Sequence, residues 1–134
     1  MKFKLSFCNP FTPNIEDLGR KNDSEIIDCF KNIPWEDFLD RMVKVDKDKL
    51  AYSPTLEIID TSTKHAISIS ALGDGVWLVF YKRPKLVSKW FGLTQVLDEN
   101  YNTEVEVGNQ EHVIEFIQAL LENNHSHLEN NILD

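Results

Sequence analysis

Hydrophobic and polar residues alternate at the start of the chain. Phe3, Leu5 and Phe7 are separated by Lys4 and Ser6. A period of two residues is typical of a strand with one buried face. The chain is therefore predicted to begin with a β-strand.

The following segment, from Asn9 to Lys21, is rich in residues that interrupt regular structure. It contains Pro10, Pro13 and Gly19 together with several polar side chains. Proline lacks a backbone donor, and both residue types are typical of turns. We predict a loop with at most one turn of structure here.

Two helical patterns come next. Asn22 and Glu25 have the spacing of a capping box, which predicts a short helix that ends near Asn32. Pro34 suits a first helical position, and a second helix is predicted to about Val45. Its apolar residues recur with helical spacing: Trp35, Phe38, Leu39, Met42 and Val43. Each helix has one apolar stripe that we expect to pack on a sheet.

The middle of the chain predicts an antiparallel meander whose register follows from its turns. A three-residue loop at Gly73-Asp74-Gly75 sets four pairs: Leu72 with Val76, Ala71 with Trp77, Ile69 with Val79, and Ile67 with Tyr81. A loop over residues 61–64 sets two more: Ile58 with Ile67, and Leu56 with Ile69. Both turns place apolar residues on the same face, so they predict one register.

The pattern is interrupted by Pro84 and the segment from Lys85 to Gly92. Alternation resumes in 93–97 and 103–107, which predicts a last hairpin around residues 98–102. Asn109 suits the N-cap of a closing helix that ends at residues 123–124. From His125 onward we expect a frayed end.

These elements predict a single α+β domain over residues 1–134. Its antiparallel sheet has five or six strands, and the two N-terminal-half helices and the C-terminal helix pack on it. A chain of 134 residues is too short for two independent cores. It contains neither an apolar run that spans a bilayer nor a signal-peptide pattern. We therefore expect a cytoplasmic protein without a membrane partner.

Charge is distributed unevenly along the chain. All 14 basic residues lie in residues 1–89, whereas residues 90–134 carry nine of the 22 acidic residues and no Lys or Arg. This asymmetry argues against a nucleic-acid partner and favours a cationic protein partner. The alternative is that the acidic segment only keeps the protein soluble.

Six residues of the acidic segment are predicted to contact a partner: Trp90, Phe91, Asp98, Glu99, Glu104 and Glu106. Two bulky aromatics are difficult to bury together in a loop, so Trp90 and Phe91 are interface anchors or, alternatively, core residues. Glu104 and Glu106 alternate with valines, which points both carboxylates to one side of a predicted edge strand. That arrangement suits a cationic partner, and it also deters unwanted edge pairing.

No residue pattern predicts catalysis, a cofactor or a bound metal. His125 and His127 resemble a metal-binding pair, but they lie on the expected frayed end without a nearby cysteine. His65 is predicted at the surface. Cys8 and Cys29 form a redox pair if they meet, although free cysteines are more often small buried hydrophobes. A catalytic triad assembled in space leaves no trace in sequence spacing.

One basic cluster lies at the boundary of the two halves. Lys82-Arg83-Pro84-Lys85, with Lys89-Trp90 nearby, has the minimum composition for contact with phosphate or a single strand. Four cations on an acidic protein make a weak nucleic-acid footprint. The alternative is a solvated loop that balances the acidic segment.

Four features follow one another from the meander to the C-terminus: an aromatic strand over 76–81, the turn Trp90-Phe91-Gly92, an acidic strand over 103–107, and a helix from Asn109. This layout resembles small bacterial immunity proteins of polymorphic-toxin and contact-dependent inhibition systems. The resemblance implies a non-catalytic cytoplasmic protein that binds and neutralises a cognate toxin, often a cationic nuclease.

The primary hypothesis is therefore an acidic inhibitor that presents carboxylates to a basic toxin domain and blocks its substrate site. One alternative is a small enzyme, which a deep pocket with convergent titratable groups would indicate. Another is a homodimeric regulatory or scaffold domain that associates through its sheet face, with a mass that depends on concentration. The sequence leaves the oligomeric state open.

Overall fold

The computed structural model describes residues 2–50 and 53–133. Over these residues the elements run β1 (Phe3–Cys8), β2 (Ile15–Lys21), α1 (Asp23–Asn32), α2 (Trp35–Met42), β3 (Thr55–Asp60), β4 (Ala66–Gly73), β5 (Val76–Lys89), β6 (Thr94–Val107), α3 (Gln110–Leu121) and α4 (His125–Asn131). A short 3₁₀ turn at Lys47–Lys49 follows α2. The α+β class predicted from the sequence is confirmed.

The strands form one sheet in the order β2-β1-β3-β4-β5-β6. Every neighbouring pair is antiparallel, so β2 and β6 are the two edge strands. The chain enters the sheet near one edge, adds β2 outside β1, and then crosses to β3 through α1 and α2. From β3 onward it builds a meander that ends at β6.

The meander register predicted from the turns is confirmed, except beside the Gly73-Asp74-Gly75 turn. Ala71 pairs with Trp77, and the two loops set the remaining pairs as expected. Val76 pairs with Gly73, however, and not with Leu72. Asp74 and Gly75 have φ values of 55° and 76°. A two-residue loop with both φ values positive matches strand twist better than a three-residue loop does, and Leu72 is the bulged residue.

The predicted loop from Asn9 to Lys21 is wrong in its second half, which forms β2. β2 pairs with β1 along its whole length, with a register shift between Leu5 and Ser6. Most of its side chains are exposed because it is an edge strand. Backbone pairing therefore determines this strand, and its sequence shows no alternation of buried and exposed residues.

The predicted last hairpin around residues 98–102 is also wrong. β5 runs through Pro84 to Lys89, β6 is continuous from Thr94, and the turn lies between them. Pro84 coincides with a register shift in the β5–β6 ladder, and β4 pairs with β5 only as far as Lys82. A proline is tolerated at a bulge where no second neighbour needs its backbone N–H.

The predicted helix caps are confirmed, but the end of the chain is not frayed. The backbone N–H of Glu25 donates to the Asn22 side chain at 3.0 Å, and the N–H of His112 donates to the Asn109 side chain at 2.8 Å. Beyond α3 the chain forms α4, and Leu128 within it and Ile132 just after it are completely buried. Burial of these two side chains holds a helix that is too short to be stable alone.

The core lies between the helices and one face of the sheet. Four aromatic residues form its centre: Phe7, Phe30, Trp35 and Trp77. The Trp35 indole N–H donates to the Phe30 carbonyl at 3.0 Å, so the polar atom of this buried ring is satisfied. Among the described residues, no helix is both long and apolar enough to cross a membrane.

The opposite side of the sheet, which we call the second face, has a mixed composition. Its central apolar side chains are only half-buried: Ile59, Leu78 and Phe80. Cross-strand neighbours of Leu78 and Phe80 on β6 are Glu106 and Glu104. Acidic residues therefore border the apolar part of this face.

Candidate functional site

β5 and β6 extend beyond the rest of the sheet. They stay paired as far as Lys89 and Thr94, well past the last pairing of β4 with β5 at Lys82. We call the projecting ribbon, residues 85–98 with the turn between its strands, the arm. A two-stranded ribbon buries little surface of its own, so the main sheet supplies its rigid base and the arm projects into solvent.

The tip of the arm exposes two aromatic side chains in an unfavourable backbone conformation. Trp90 is 75% and Phe91 106% exposed. Trp90, Phe91 and Gly92 have φ values of 55°, 58° and 86°. For a bulky residue the left-handed region costs roughly 1–2 kcal/mol, and here two such residues adopt it in succession. The alternative that these aromatics are core residues is wrong, because the ribbon carries them away from the helices.

The sides of the arm are also apolar. Leu86 lies opposite Leu97, and Val87 lies opposite Val96. Because successive side chains point to opposite faces, each face of the arm has one apolar pair. Leu86 and Leu97 are more than half exposed, as is Leu93 beside the tip. The arm therefore exposes apolar side chains on both faces and beside its tip.

The four predicted acidic contacts are spread along β6. Asp98 lies opposite Lys85 in the arm, and Glu99 follows at the bulge where the arm meets the sheet. Glu104 and Glu106 are exposed on the second face. At 3.4 Å per residue, Glu106 is about 40 Å along β6 from the tip. The structure therefore separates the predicted partner residues into an aromatic tip and a line of carboxylates.

The base of the arm is held by a buried charge cluster. Arg83, just before the bulge, is only 2% exposed. Its Nε and Nη2 donate to the two carboxylate oxygens of Glu129 in α4, both at 2.8 Å. Its Nη1 donates to the Tyr81 carbonyl at 2.9 Å and to the Thr103 hydroxyl at 2.7 Å. This bidentate pair ties the C-terminal helix to the start of the arm.

Two further side chains complete the cluster. Lys85 Nζ lies 3.2 Å from a Glu129 carboxylate oxygen, and the Arg83 guanidinium lies 4.7 Å from the centre of the Tyr101 ring. Hydrogen bonds from Arg83 hold the pKa of Glu129 below its ordinary value, although partial burial opposes them. Glu129 is therefore ionised at neutral pH.

This cluster changes the interpretation of the basic segment Lys82–Lys89. Arg83 is buried, and Lys85 is 42% exposed, but both of these cations are paired with Glu129. The segment is neither a solvated loop nor a continuous basic patch. Its arrangement favours a structural role over contact with phosphate.

Two histidines meet beneath α4. The rings of His65 and His125 stack at 3.8 Å with an interplanar angle of 8°, and His65 Nδ1 lies 2.6 Å from the Tyr81 hydroxyl. His65, predicted at the surface, is partly exposed, and the ring of His125 covers one side of it. Burial lowers the pKa of His65, and nearby His125 and Arg83 lower it further. Burial and the Glu129 charge raise the pKa of Tyr81 to about 12.

The sequence did not predict that these two histidines meet, because they lie 60 positions apart in the chain. His125 is not on a frayed end, as predicted, but in the first turn of α4. Within the described residues, no three His, Cys, Asp or Glu side chains converge in a way that suits a metal ion. The stacked imidazoles pack α4 against the start of β4.

The two cysteines are both free thiols and both half-buried. Burial raises the pKa of the Cys8 thiol, and the Glu57 charge adds to this effect. Burial also raises the pKa of the Cys29 thiol. Because the thiolate is the reactive form, both residues act as small apolar groups at neutral pH.

Surface cavities lie away from the titratable cluster. One of about 400 Å³ is lined by Trp35, Trp77 and the β4–β5 turn, and a largely apolar one of about 310 Å³ includes Phe7 and Phe38. Neither of these cavities borders His65, Tyr81 or His125. The histidine–tyrosine cluster and these two cavities are therefore separate features of the surface.

Fold and site together define an α+β domain with a projecting β-hairpin arm. Comparisons of the chain with protein-family models, with curated proteins and with solved structures found no match.

Proposed function

We propose that this protein is a non-catalytic inhibitor of the immunity-protein kind, which binds a basic toxin domain through the tip of the arm. The observation that carries the proposal is the exposed, conformationally strained pair Trp90 and Phe91. The strain opposes folding of the free protein, and burial of the rings in a partner compensates for it. Aromatic residues of this kind dominate the binding energy of protein interfaces.

The shape of the arm suits a concave partner site. A ribbon that is narrow and apolar on both faces enters a cleft more easily than the broad second face does. A toxin that acts on a large substrate needs such a cleft. Occupation of the cleft by Trp90 and Phe91 blocks access of the substrate without any chemical step.

Charge supports a basic partner. Residues 90–134 contain no Lys or Arg, and the whole chain has a net charge of −8. Asp98 and Glu99 lie at the base of the arm, close enough to contact a partner that holds the tip. Glu104 and Glu106 lie too far along β6 to share one small contact with the tip, and their charges add to the long-range attraction of a basic partner.

Trp90→Ala is expected to weaken binding to the cognate toxin domain by about 2 kcal/mol or more, which is roughly 30-fold in Kd. The reason is the loss of the ring that fills the partner cleft. Isothermal titration calorimetry measures the change. Val43→Ala removes an exposed apolar side chain outside the arm and is the matched control.

An equal Kd for Trp90→Ala and the unmodified protein would contradict the proposal. Sedimentation with phosphatidylcholine–phosphatidylserine vesicles provides a second test. If the protein sediments with these vesicles and Trp90→Ala does not, the tip binds a lipid surface, and the proposal of a protein partner fails.

Replacement of Asp98 by Asn and of Glu99, Glu104 and Glu106 by Gln is expected to slow association with the toxin domain at low salt. Exposed carboxylates contribute little to stability, so folding is retained. Stopped-flow measurements at two salt concentrations separate the association and dissociation rates. The control neutralises three acidic residues of α3 and its end: Glu111, Glu115 and Glu122. Unchanged rates at both salt concentrations would contradict a role of the β6 carboxylates.

A further inference from the structure

The two edges of the sheet are built differently. β2 is seven residues long, contains Gly19 with a φ of 78°, and has a register shift against β1. Short, irregular edges resist pairing with other chains. β6 is twice as long, and after the bulge at the base of the arm its ladder with β5 is regular from Tyr101 to Val107. The β6 edge is therefore able to accept a further strand.

Residues 101–107 contain no proline or glycine that would interrupt such pairing. Each residue of this stretch pairs on one side with β5, from Tyr101 with Arg83 to Val107 with Trp77. In the sheet order β6 has no second neighbour among the described strands. Although Thr103 is only 4% exposed, the outward-pointing backbone groups of alternate residues have no strand partner and form a template for strand addition.

The side chains of this stretch specify what kind of strand fits. On the second face, Glu104 and Glu106 are exposed. On the helix-covered face, Val105 and Val107 are half-buried at the rim of the core. An added strand places its side chains beside both sets. A matching segment therefore alternates basic residues, which face the glutamates, with apolar residues, which cover the valines.

The same charges exclude a second copy of the chain as the occupant. Two β6 edges in antiparallel contact bring acidic side chains from both copies together, and β6 has no Lys or Arg to compensate. Like charges opposite each other destabilise a strand pair. A foreign basic strand therefore fits this edge better than a second copy of the chain does.

We propose that the β6 edge from Tyr101 to Val107 binds an extended segment of the partner, with alternating basic and apolar residues, by strand addition. This inference rests on the proposed function, because it assigns a second contact to the same basic partner. It also gives Glu104 and Glu106 a direct contact far from the arm tip. One partner then meets the protein at both ends of β6.

The test uses the full chain and a synthetic peptide, Thr-Lys-Val-Lys-Val-Lys-Thr. We expect the peptide to slow hydrogen exchange of the amides of residues 101–107, with the arm amides unaffected. A control peptide has the same sequence, with the backbone nitrogen of every lysine and valine methylated. It keeps its charge but loses most of its backbone hydrogen-bond donors. Its affinity by fluorescence anisotropy should be at least about tenfold lower.

Charge at the edge is tested with Glu104→Gln combined with Glu106→Gln. This variant should bind the unmethylated peptide about threefold to tenfold more weakly, while Glu111→Gln combined with Glu115→Gln on α3 should bind it normally. Equal affinity of the two peptides, or binding without slower exchange in 101–107, would overturn strand addition and leave only attraction between charges. Absence of peptide binding would overturn it as well.

The experiments can reject either proposal without rejecting the other. The peptide experiment needs no toxin, and its outcome does not depend on Trp90. An unchanged Kd of Trp90→Ala for the toxin domain, together with peptide protection of 101–107, would reject the arm as the anchor and retain the edge. The reverse pair of results would reject the edge and retain the arm.

Discussion

Trp77→Ala is expected to lower the free energy of unfolding by about 3 to 5 kcal/mol. Trp77 is 8% exposed. Its ring centre lies 5.3 Å from that of Phe30 and 5.2 Å from that of Trp35, which meets it edge-on. Truncation therefore leaves a large cavity at the point where α1, α2 and β5 meet. Such a loss is a large part of the stability of a small domain.

Urea unfolding followed by far-ultraviolet circular dichroism measures this change. Trp90→Ala is a matched control, because it removes the same side chain from an exposed site. We expect it to change stability by less than about 0.5 kcal/mol. Similar denaturation midpoints for Trp77→Ala and the unmodified protein would show that the aromatic centre does not stabilise the domain as described.

Glu129→Gln is expected to lower the free energy of unfolding by about 3 kcal/mol, near the lower end for breaking a buried ion pair. The substitution leaves Arg83 charged and buried, without its bidentate acceptor. We expect a loss near the lower end of the range for buried ion pairs because the Glu129 side chain is one-third exposed. Glu115→Gln, at an exposed position of α3, is the control and should have little effect.

The pH dependence of stability provides a check on the same pair. Because the pKa of Glu129 is lowered from 4.5 in the folded protein, its contribution is complete above about pH 4.5 and is lost as the pH falls through the folded-state pKa. The stability difference between the unmodified protein and Glu129→Gln should therefore shrink in acid. A constant difference from pH 7 to pH 3 would contradict the assigned role.

A double variant tests whether Arg83 and Glu129 stabilise the protein through their contact with each other. Arg83→Met combined with Glu129→Gln removes the buried charge together with its partner. Because the cost of either single change includes an uncompensated group, the double variant should be less destabilised than the sum of the two. Additive losses would show that Arg83 and Glu129 act independently.

Local sequence signals determined the elements whose stabilising contacts lie close together in the chain. Asn22 and Glu25 cap α1 through each other, three positions apart, and the Asn109 side chain caps α3 by accepting from the N–H of His112. The meander register followed from its short turns, since alternation places Ile67 and Ile69 on the buried face whichever turn is considered. The acidic last third and the aromatic turn at Trp90 were visible without a structure.

Tertiary structure alone decided the elements that depend on distant partners. β2 exists because β1 offers a free edge, and no buried side of its own marks it. Pro84 allows β5 to continue because β4 has already ended there, a fact that no local pattern contains. α4 is stable because Leu128, Ile132 and Glu129 contact residues far away in the chain.

The candidate site also has features that the sequence predicted and features that it did not. Its residue types were predictable, because exposed aromatics and carboxylates are properties of short segments. Their arrangement was not, because it depends on the position of one turn. The turn at residues 90–93 makes a single long β6, so Trp90 and Phe91 are carried to the end of an arm and the carboxylates follow behind them. Backbone pairing between β5 and β6 determines that geometry, and side-chain periodicity does not fix where their turn falls.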